Sequence, residues 1–225
     1  FRASQLLEQT YRRVGDFAGL ADVLRSQVQD FPDEVDLVER LRELASLAKD
    51  EFKNSEEAFE YVSRAFRLEP DSQGIYDDLV ESARSLGDWD RLYDIYLDVL
   101  VTLNSADTRN NLRRKFALLF HDELHDVEHA EAVYRDMLED DGANSLALER
   151  LGAIYAEKRD FDRLAEILRS TADVSKSDRR KVEVLYELAQ LHRAERGEAA
   201  DALEVFEEII ALDPKSWDAY RSVQA

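Results

Sequence analysis

The sequence lacks cysteine altogether, so neither disulfides nor thiolate-bound metals can stabilise the chain. Only three prolines and seven glycines occur among its 225 residues, too few for the many tight turns of an all-β protein. The longest apolar run is the five residues 116–120, whereas a membrane-spanning helix needs about 20. These shortages predict a helical chain that does not cross a membrane.

The sequence also has fewer basic than acidic residues. The chain has 50 Asp and Glu against 30 Lys and Arg, which gives a formal net charge of −20. Such a surface repels nucleic acids and anionic membranes, so we expect neither as a partner. It could attract basic partners, but the favoured interpretation of the acidity is plain solubility. Hydrophobic residues still make up 44%, enough for a continuous core. The composition favours a soluble acidic protein, and the cytoplasm is the favoured compartment.

An internal repeat organises the chain. The phrase GDWDRL at 87–92 recurs 72 residues away on both sides, as GDFAGL at 15–20 and RDFDRL at 159–164. A second set of positions with the same spacing lies between these phrases: Ala58, Ala130 and Ala202; Val62, Tyr134 and Phe206; Pro70, Gly142 and Pro214. Coincident offsets at this many positions indicate a repeat architecture.

Each 72-residue unit holds two half-units. Large apolar residues mark them, in steps that alternate between 37 and 35: Leu7, Leu44, Leu79, Phe116, Leu151, Leu188 and Val223. Within a half-unit the apolar residues follow helical spacing, as at Leu148, Leu151 and Tyr155. Each half-unit therefore predicts two antiparallel helices joined by a short turn. The predicted helices span 2–14, 17–30, 34–50, 55–68, 72–86, 89–103, 107–123, 127–139, 144–158, 161–174, 178–196, 199–212 and 215–224.

Residues at the turns agree with this reading of the pattern. Asp16, Asp88 and Asp160 each precede an aromatic residue and are expected to cap the helix that follows. Pro70 and Pro214 are predicted to lie just past helix ends, since proline cannot continue a helix. Three half-units carry about one extra residue between their two helices.

These positions resemble the tetratricopeptide repeat. Its first-helix pattern of large, Leu, Gly and Tyr is matched by Leu148, Leu151, Gly152 and Tyr155. Its second-helix alanine and aromatic and its closing proline are matched by Ala202, Phe206 and Pro214. The resemblance implies an all-α fold, an α-solenoid in which antiparallel helix hairpins stack into a right-handed superhelix. Leu20, Leu92 and Leu164 replace the small alanine of that pattern, and such degenerate pairs resemble the repeats of very large bacterial tetratricopeptide proteins.

The resemblance also implies one array over residues 1–225, of about six and a half hairpins. Its approximate repeats are 1–32, 33–70, 71–104, 105–142, 143–175, 176–214 and a partial 215–225. We expect the chain to be part of a longer protein. Small residues such as Ala45, Ala117 and Ala189 are expected to let helices approach closely, while Phe17, Trp89 and Phe161 fill gaps between hairpins.

One cluster has the residue types of a metal site. His121 and His125 are one helical turn apart, a workable spacing for zinc, and His129 follows. However, Asp122 occupies the place where the zinc-protease motif requires glutamate, and the repeat register puts His125 and His129 around a turn. We therefore predict no metal, no cofactor and no enzymatic activity.

The first helix of each hairpin lines a concave groove in tetratricopeptide arrays. That register yields ten candidate partner-binding residues: Arg12, Arg42, Lys49, Arg84, Asn111, Arg114, His121, Tyr186, Gln190 and Arg193. One register position reads Arg12, Lys49, Arg84, His121, Ala156 and Arg193 along the chain, five of six basic or potentially basic. This row could hold an acidic segment, or it could only reflect the preference of helix carboxyl ends for cations.

The sequence thus predicts a protein-interaction scaffold that binds a peptide or protein segment in its groove. One alternative is a self-assembling or architectural segment of a larger repeat protein, with end-to-end association. A further alternative is a metal-dependent or regulatory domain centred on His121 and His125.

Overall fold

A computed structural model describes residues 2–30 and 36–224. Within these ranges the chain is all α-helical, and its helices follow one another as hairpins: α1 Arg2–Val14, α2 Phe17–Asp30, α3 Leu37–Asp50, α4 Ser55–Leu68, α5 Gln73–Leu86, α6 Trp89–Thr102, α7 Ala106–Leu118, α8 Val127–Asp140, α9 Ser145–Lys158, α10 Phe161–Val174, α11 Asp178–Leu191, α12 Ala199–Leu212 and α13 Trp217–Gln224. Contacts between helices are chiefly those between neighbours in sequence, such as α3 with α4 and α10 with α11, the pattern of a helical repeat protein. In this part of the chain no helix combines the length and apolar character needed to cross a membrane.

The predicted helix positions are confirmed to within a few residues, and α1, α2, α4, α10 and α12 coincide with their predictions. The predicted start of the third helix at residue 34, and the repeat boundary at 32–33, lie outside the described residues. The three predicted caps are also confirmed. Asp16, Asp88 and Asp160 each accept a hydrogen bond from the amide three residues later, at 3.0, 3.1 and 3.2 Å. Pro70 and Pro214 lie two residues past the ends of α4 and α12.

The turn inside each hairpin contains one residue in the left-handed region of φ. These residues form two series with the 72-residue spacing: Gly15, Gly87 and Arg159; Lys53, His125 and Gly197. In the first series the next amide bonds a carbonyl five places back, as Asp88 bonds Ala83 at 3.3 Å. In the second series a bond reaches six places back, as from Asp126 to Phe120 at 2.8 Å.

The predicted extra residue is therefore taken up in the last turn of the first helix rather than in a longer loop. Two of those turns widen into π-helical segments, Leu119–Glu123 and His192–Arg196. A π turn accommodates one additional residue without breaking the chain of backbone hydrogen bonds. This extra residue lies within the 35-residue steps of the apolar row, so it is not the cause of the longer 37-residue steps.

The chain divides into two compact units at Leu112 and Arg113, and each has its own core. The first core is built on large buried side chains such as Phe59, Phe66 and Tyr96. The second is built on Phe116, Phe120, Tyr134 and Phe206. In both units the apolar stripe of each helix is what packs against the neighbouring helices.

The small residues and the aromatic residues of the repeat have different positions in these cores. Ala45, Ala117 and Ala189 are buried, as predicted for close helix contacts. The three aromatic residues that open second helices are less buried than predicted: Trp89 and Phe161 are half-buried, and Phe17 is 41% exposed. A residue at the first position of a helix lies beside the turn, so part of its ring faces solvent.

Candidate functional site in the grooves between first helices

A groove of the second unit lies between α9 and α11. Turns of two and three residues join α9 to α10 and α10 to α11, so α9 and α11 run in the same direction over α10. The space between them is a cavity of about 1100 Å³. Small or apolar residues form most of its lining: Ala143, Leu148, Gly152, Ala153, Ala156, Leu164, Ile167, Leu168, Val174, Val184, Leu191 and Ala194. We call this space the α9–α11 groove.

Charged side chains lie along the rim of the α9–α11 groove. Lys176 and Arg180 lie where α10 ends and α11 begins. Glu195 lies at the opposite end and pairs with Arg159 at 3.4 Å. Two further carboxylates, Glu149 on α9 and Glu187 on α11, are exposed and form no ion pair with the part of the chain that the structure describes.

A smaller groove of about 460 Å³ lies between α3 and α5 in the first unit. The candidate residues Arg42 and Lys49 line it, as predicted for a groove face. However, both already reach carboxylates on the opposite helix: Arg42 bonds Asp78 at 2.7 Å, and Lys49 lies 3.6 Å from Glu81. Such exposed pairs contribute about 0–1 kcal/mol each, so a ligand could displace them, but it would have to replace these contacts.

Arg84 and Arg12 are likewise paired. Arg84 lies 3.3 Å from Glu81 on its own helix. Arg12 bonds Glu8 at 2.9 Å and reaches across to Glu43 on α3 at 2.5 Å. In the first unit, Arg12, Arg42 and Lys49 thus connect first helices to one another.

Arg12 belongs to a network that fills the space between α1 and α3. Arg40 bonds Glu8 at 3.0 Å and Glu43 at 3.3 Å, and the Gln27 amide of α2 donates to Glu8 at 2.9 Å. Burial alone would raise the pKa of Glu8, but hydrogen bonds from Gln27 and Arg12 and the charge of Arg40 outweigh it, so its pKa lies below the ordinary value. The hydrogen bond to Glu43 raises the pKa of Arg12. We call these five side chains the α1–α3 network.

The remaining candidates are spread over both units. Asn111 and Arg114 are exposed on α7. His121 lies in a π-helical segment, with Nδ1 3.3 Å from the Tyr134 hydroxyl. Gln190 is the one member of the predicted set that lines the α9–α11 groove.

The last two candidates lie near Gln190 on the same stretch of chain. Arg193 donates to the Gln190 side chain at 2.9 Å. Tyr186 points its hydroxyl at Ser216 and packs its ring edge-on against Phe206, with 6.0 Å between ring centroids. Tyr186 is therefore partly committed to the contact between α11 and the turn before α13.

The histidines predicted to lie around a turn do so. His125 is the left-handed residue of its turn, and His129 bonds Asp126 at 2.7 Å. Among the described residues, one trio of metal-type ligands comes within 4.8 Å: His192, Glu198 and Asp201. Glu198 in that trio already accepts a hydrogen bond from Arg196 at 2.9 Å, and His192 Nδ1 lies 2.8 Å from its other carboxylate oxygen. The hydrogen bond from His192 lowers the pKa of Glu198.

The residues that leave the α9–α11 groove open were not predicted from the sequence. Gly152, Ala153 and Ala156 have small side chains or none, so they carry no chemical group that would mark a binding site in the sequence. The available signal was Ala156 itself, the single interruption of the basic register row.

No protein-family model matches the chain, and no curated protein matches it. Solved structures of similar proteins include a thermophilic TPR protein, TTC0263, of Thermus thermophilus, with 15% identity over 99% of this chain and 97% of that chain and a TM-score of 0.32. A tetratricopeptide repeat protein from Parabacteroides merdae is 13% identical over 100% and 98%, with a TM-score of 0.37. YrrB, a TPR protein with an unusual peptide-binding site, is 14% identical over 91% and 100%, with a TM-score of 0.37.

The repeat architecture is seen in the chain's own helices. They form tandem hairpins, the repeat spacing of 72 residues recurs in their turns, and small alanines such as Ala45 and Ala189 are buried at the expected register. By these features the chain is a helical repeat protein whose hairpins resemble tetratricopeptide repeats.

Proposed function

We propose that this chain is a protein-interaction scaffold that holds a segment of a partner protein in the α9–α11 groove. The observation that carries the proposal is the cavity of about 1100 Å³ with a largely apolar lining. Concave sites of this size bury most of a ligand's surface, and an apolar floor provides the affinity for an amphipathic segment. A scaffold of this kind needs no catalytic group.

The length of the groove limits what it can hold. The helix α9 has 14 residues and is therefore about 21 Å long, at about 1.5 Å per residue. A helical partner segment of similar length, or about six extended residues at about 3.3 Å each, would lie along it. Both are short linear segments rather than folded domains.

The α9–α11 groove is favoured over the α3–α5 groove because its floor is apolar and the Arg159–Glu195 ion pair lies at its end. A ligand entering the α3–α5 groove would compete with the contacts of Arg42 and Lys49. The candidate residues of the second unit stay candidates for additional contacts with a longer segment. Gln190 and Arg193, next to the apolar lining, are the nearest of these.

The proposal is tested by selecting short peptides on the immobilised chain from a random display library and measuring their affinities by fluorescence anisotropy. Ala156→Phe places a ring in the groove and should weaken the selected peptides by about tenfold or more, since it removes the space for an apolar anchor. Ala200→Phe, at an exposed alanine of α12 outside the lining, is the matched control and should leave binding unchanged. Equal binding to both variants, or failure to enrich any peptide, would contradict the proposal.

A second candidate function is end-to-end association. On α13, Trp217 is 75% exposed and Tyr220 is also exposed, with 6.5 Å between their ring centroids. Exposed apolar patches of large side chains are often sites of protein–protein interaction. Sedimentation at several concentrations, with Trp217→Ser as the comparison, tests it: concentration-dependent association that the variant abolishes would support it, and monomers throughout would refute it.

A further inference from the structure

Two grooves of this chain are copies of the same part of the repeat. The space between α1 and α3 and the α9–α11 groove are separated by 144 residues, which is two 72-residue periods. Residues at matching positions therefore have matching places on their helices. The two grooves can be compared side chain by side chain.

Every member of the α1–α3 network has a counterpart that lines the α9–α11 groove. The network residues Glu8, Arg12, Gln27, Arg40 and Glu43 correspond in order to Gly152, Ala156, Thr171, Val184 and Glu187. Both cations of the network have been replaced by apolar residues, and one of its two carboxylates by glycine. These replacements empty the groove and make its floor apolar.

Glu187 is the charged position that the two grooves share. Its counterpart Glu43 is neutralised by Arg12 at 2.5 Å and by Arg40 at 3.3 Å. Glu187 has neither cation and forms no ion pair with the described residues. Glu149, on the opposite wall of the groove, likewise forms no ion pair with the described residues.

We infer that the α9–α11 groove takes an apolar segment carrying lysine or arginine, whose cation meets Glu187 in the place that Arg12 and Arg40 occupy beside Glu43. This inference rests on the proposed function and adds the chemistry of the partner. The net charge of −20 favours the encounter with such a segment. An acidic segment would bring like charges to Glu149, Glu187 and Glu195, although Lys176 and Arg180 would accept one acidic residue at the other end of the groove.

The test uses three synthetic peptides with the same leucine and alanine face, whose polar positions are all lysine and arginine, all glutamine, or all glutamate. Their affinities for the chain are measured by fluorescence anisotropy at low and at high salt. We expect the basic peptide to bind most tightly and the acidic peptide least tightly. Glu187→Gln should reduce the advantage of the basic peptide over the glutamine peptide by about 1.5- to 5-fold, and Glu149→Gln combined with it should reduce the advantage further.

Two controls separate this inference from the proposed function. Glu204→Gln removes an exposed carboxylate of α12 outside the groove and should leave the advantage of the basic peptide intact. Ala156→Phe should weaken all three peptides. Equal binding of the three peptides, with loss in Ala156→Phe, would overturn the inference and leave the proposed function standing. An advantage that salt removes but Glu187→Gln does not change would also overturn it, because the acidic surface in general would then be responsible. Binding that Ala156→Phe leaves unchanged, or no binding of any peptide, would overturn both.

Discussion

The α1–α3 network and the α9–α11 groove show how one repeat position can serve either structure or recognition. In the first unit, Arg12 and Arg40 span the space between two first helices and hold Glu8 and Glu43. In the second unit, the same positions carry small or apolar side chains, and the space stays open. The helices are equivalent at both places: α1 and α3 pack on α2 in the first unit, as α9 and α11 pack on α10 in the second. Of the five network positions, four carry different side chains in the α9–α11 groove, and the filled interface becomes a cavity where they change.

The strongest test of this comparison removes the cations from the α1–α3 network. Arg12→Ala combined with Arg40→Val leaves Glu8, whose side chain is 10% exposed, with no cationic partner from the network. An uncompensated carboxylate at such a site should cost about 3 kcal/mol in the free energy of unfolding of the first unit, measured by chemical denaturation. Adding Glu8→Ala copies the arrangement of the α9–α11 groove more closely and should restore part of the loss. If the triple variant is less stable than the double variant, the carboxylate is not the source of the cost.

The opposite exchange should close the α9–α11 groove. Gly152→Glu with Ala156→Arg places a carboxylate and a guanidinium where α1 has them, within reach of Glu187. A Cβ at position 152 would lie 3.6 Å from Ile167 Cγ2, an ordinary contact, so the backbone can accept the change. Peptides selected on the unaltered chain should lose about tenfold or more in affinity, as measured by anisotropy. The matched control is Ala200→Arg on α12, and equal losses in both variants would show that the effect is not local.

Acid should affect the α1–α3 network through Glu8. Because the pKa of Glu8 is lowered in the folded chain, its contribution to stability is present above its unfolded pKa of about 4.5 and is lost as the pH falls through the folded value. The free energy of unfolding of the first unit should therefore fall more between about pH 6 and about pH 3 in the unaltered chain than in Glu8→Gln. Identical pH profiles for the two proteins would remove Glu8 from the account of acid sensitivity.

The smallest effects are expected in the α3–α5 groove. Lys49→Gln removes one exposed ion pair with Glu81 and should change the free energy of unfolding by about 1 kcal/mol or less, and less again at high salt. Arg42→Gln should behave alike with respect to Asp78. A change of several kcal/mol in either variant would mean that the pair is part of a buried network like that around Glu8.

Much of the fold could be predicted from the sequence because each cap, turn and apolar position recurs at a spacing of 72 residues, so that each prediction could be checked at up to three places. The bounds of α2, α4 and α10 follow from a cap, a helical apolar stripe and a turn that recur every 72 residues. The π-helical segments were present in the sequence only as an extra residue, since nothing in residues 119–123 distinguishes a widened turn from a longer loop. Phe17 was predicted to be in the core because its register matches Trp89, but its place at the start of a helix leaves it exposed.

The candidate site was harder to predict for a physical reason. A basic side chain on a groove face can bind a ligand or a neighbouring carboxylate, and only coordinates show that Arg12 and Lys49 reach Glu43 and Glu81. Register predicted Gln190 on a groove face, and its side chain lines the α9–α11 groove. The groove itself depends on absent side chains at Gly152, Ala153 and Ala156, and sequence patterns are usually read for the side chains that are present.

The alternation of turns in this chain has a consequence for how it can be lengthened or shortened. In one kind of hairpin the turn is closed by an amide that bonds the carbonyl five residues earlier, and in the other kind by an amide that bonds the carbonyl six residues earlier. The two kinds alternate along the sequence. Removing one hairpin would bring two hairpins of the same kind together, and the side chains at their contact would no longer match. Removing or inserting 72 residues preserves every contact type. The exchangeable module of this protein is therefore the pair of hairpins, and recombination between copies should respect that boundary.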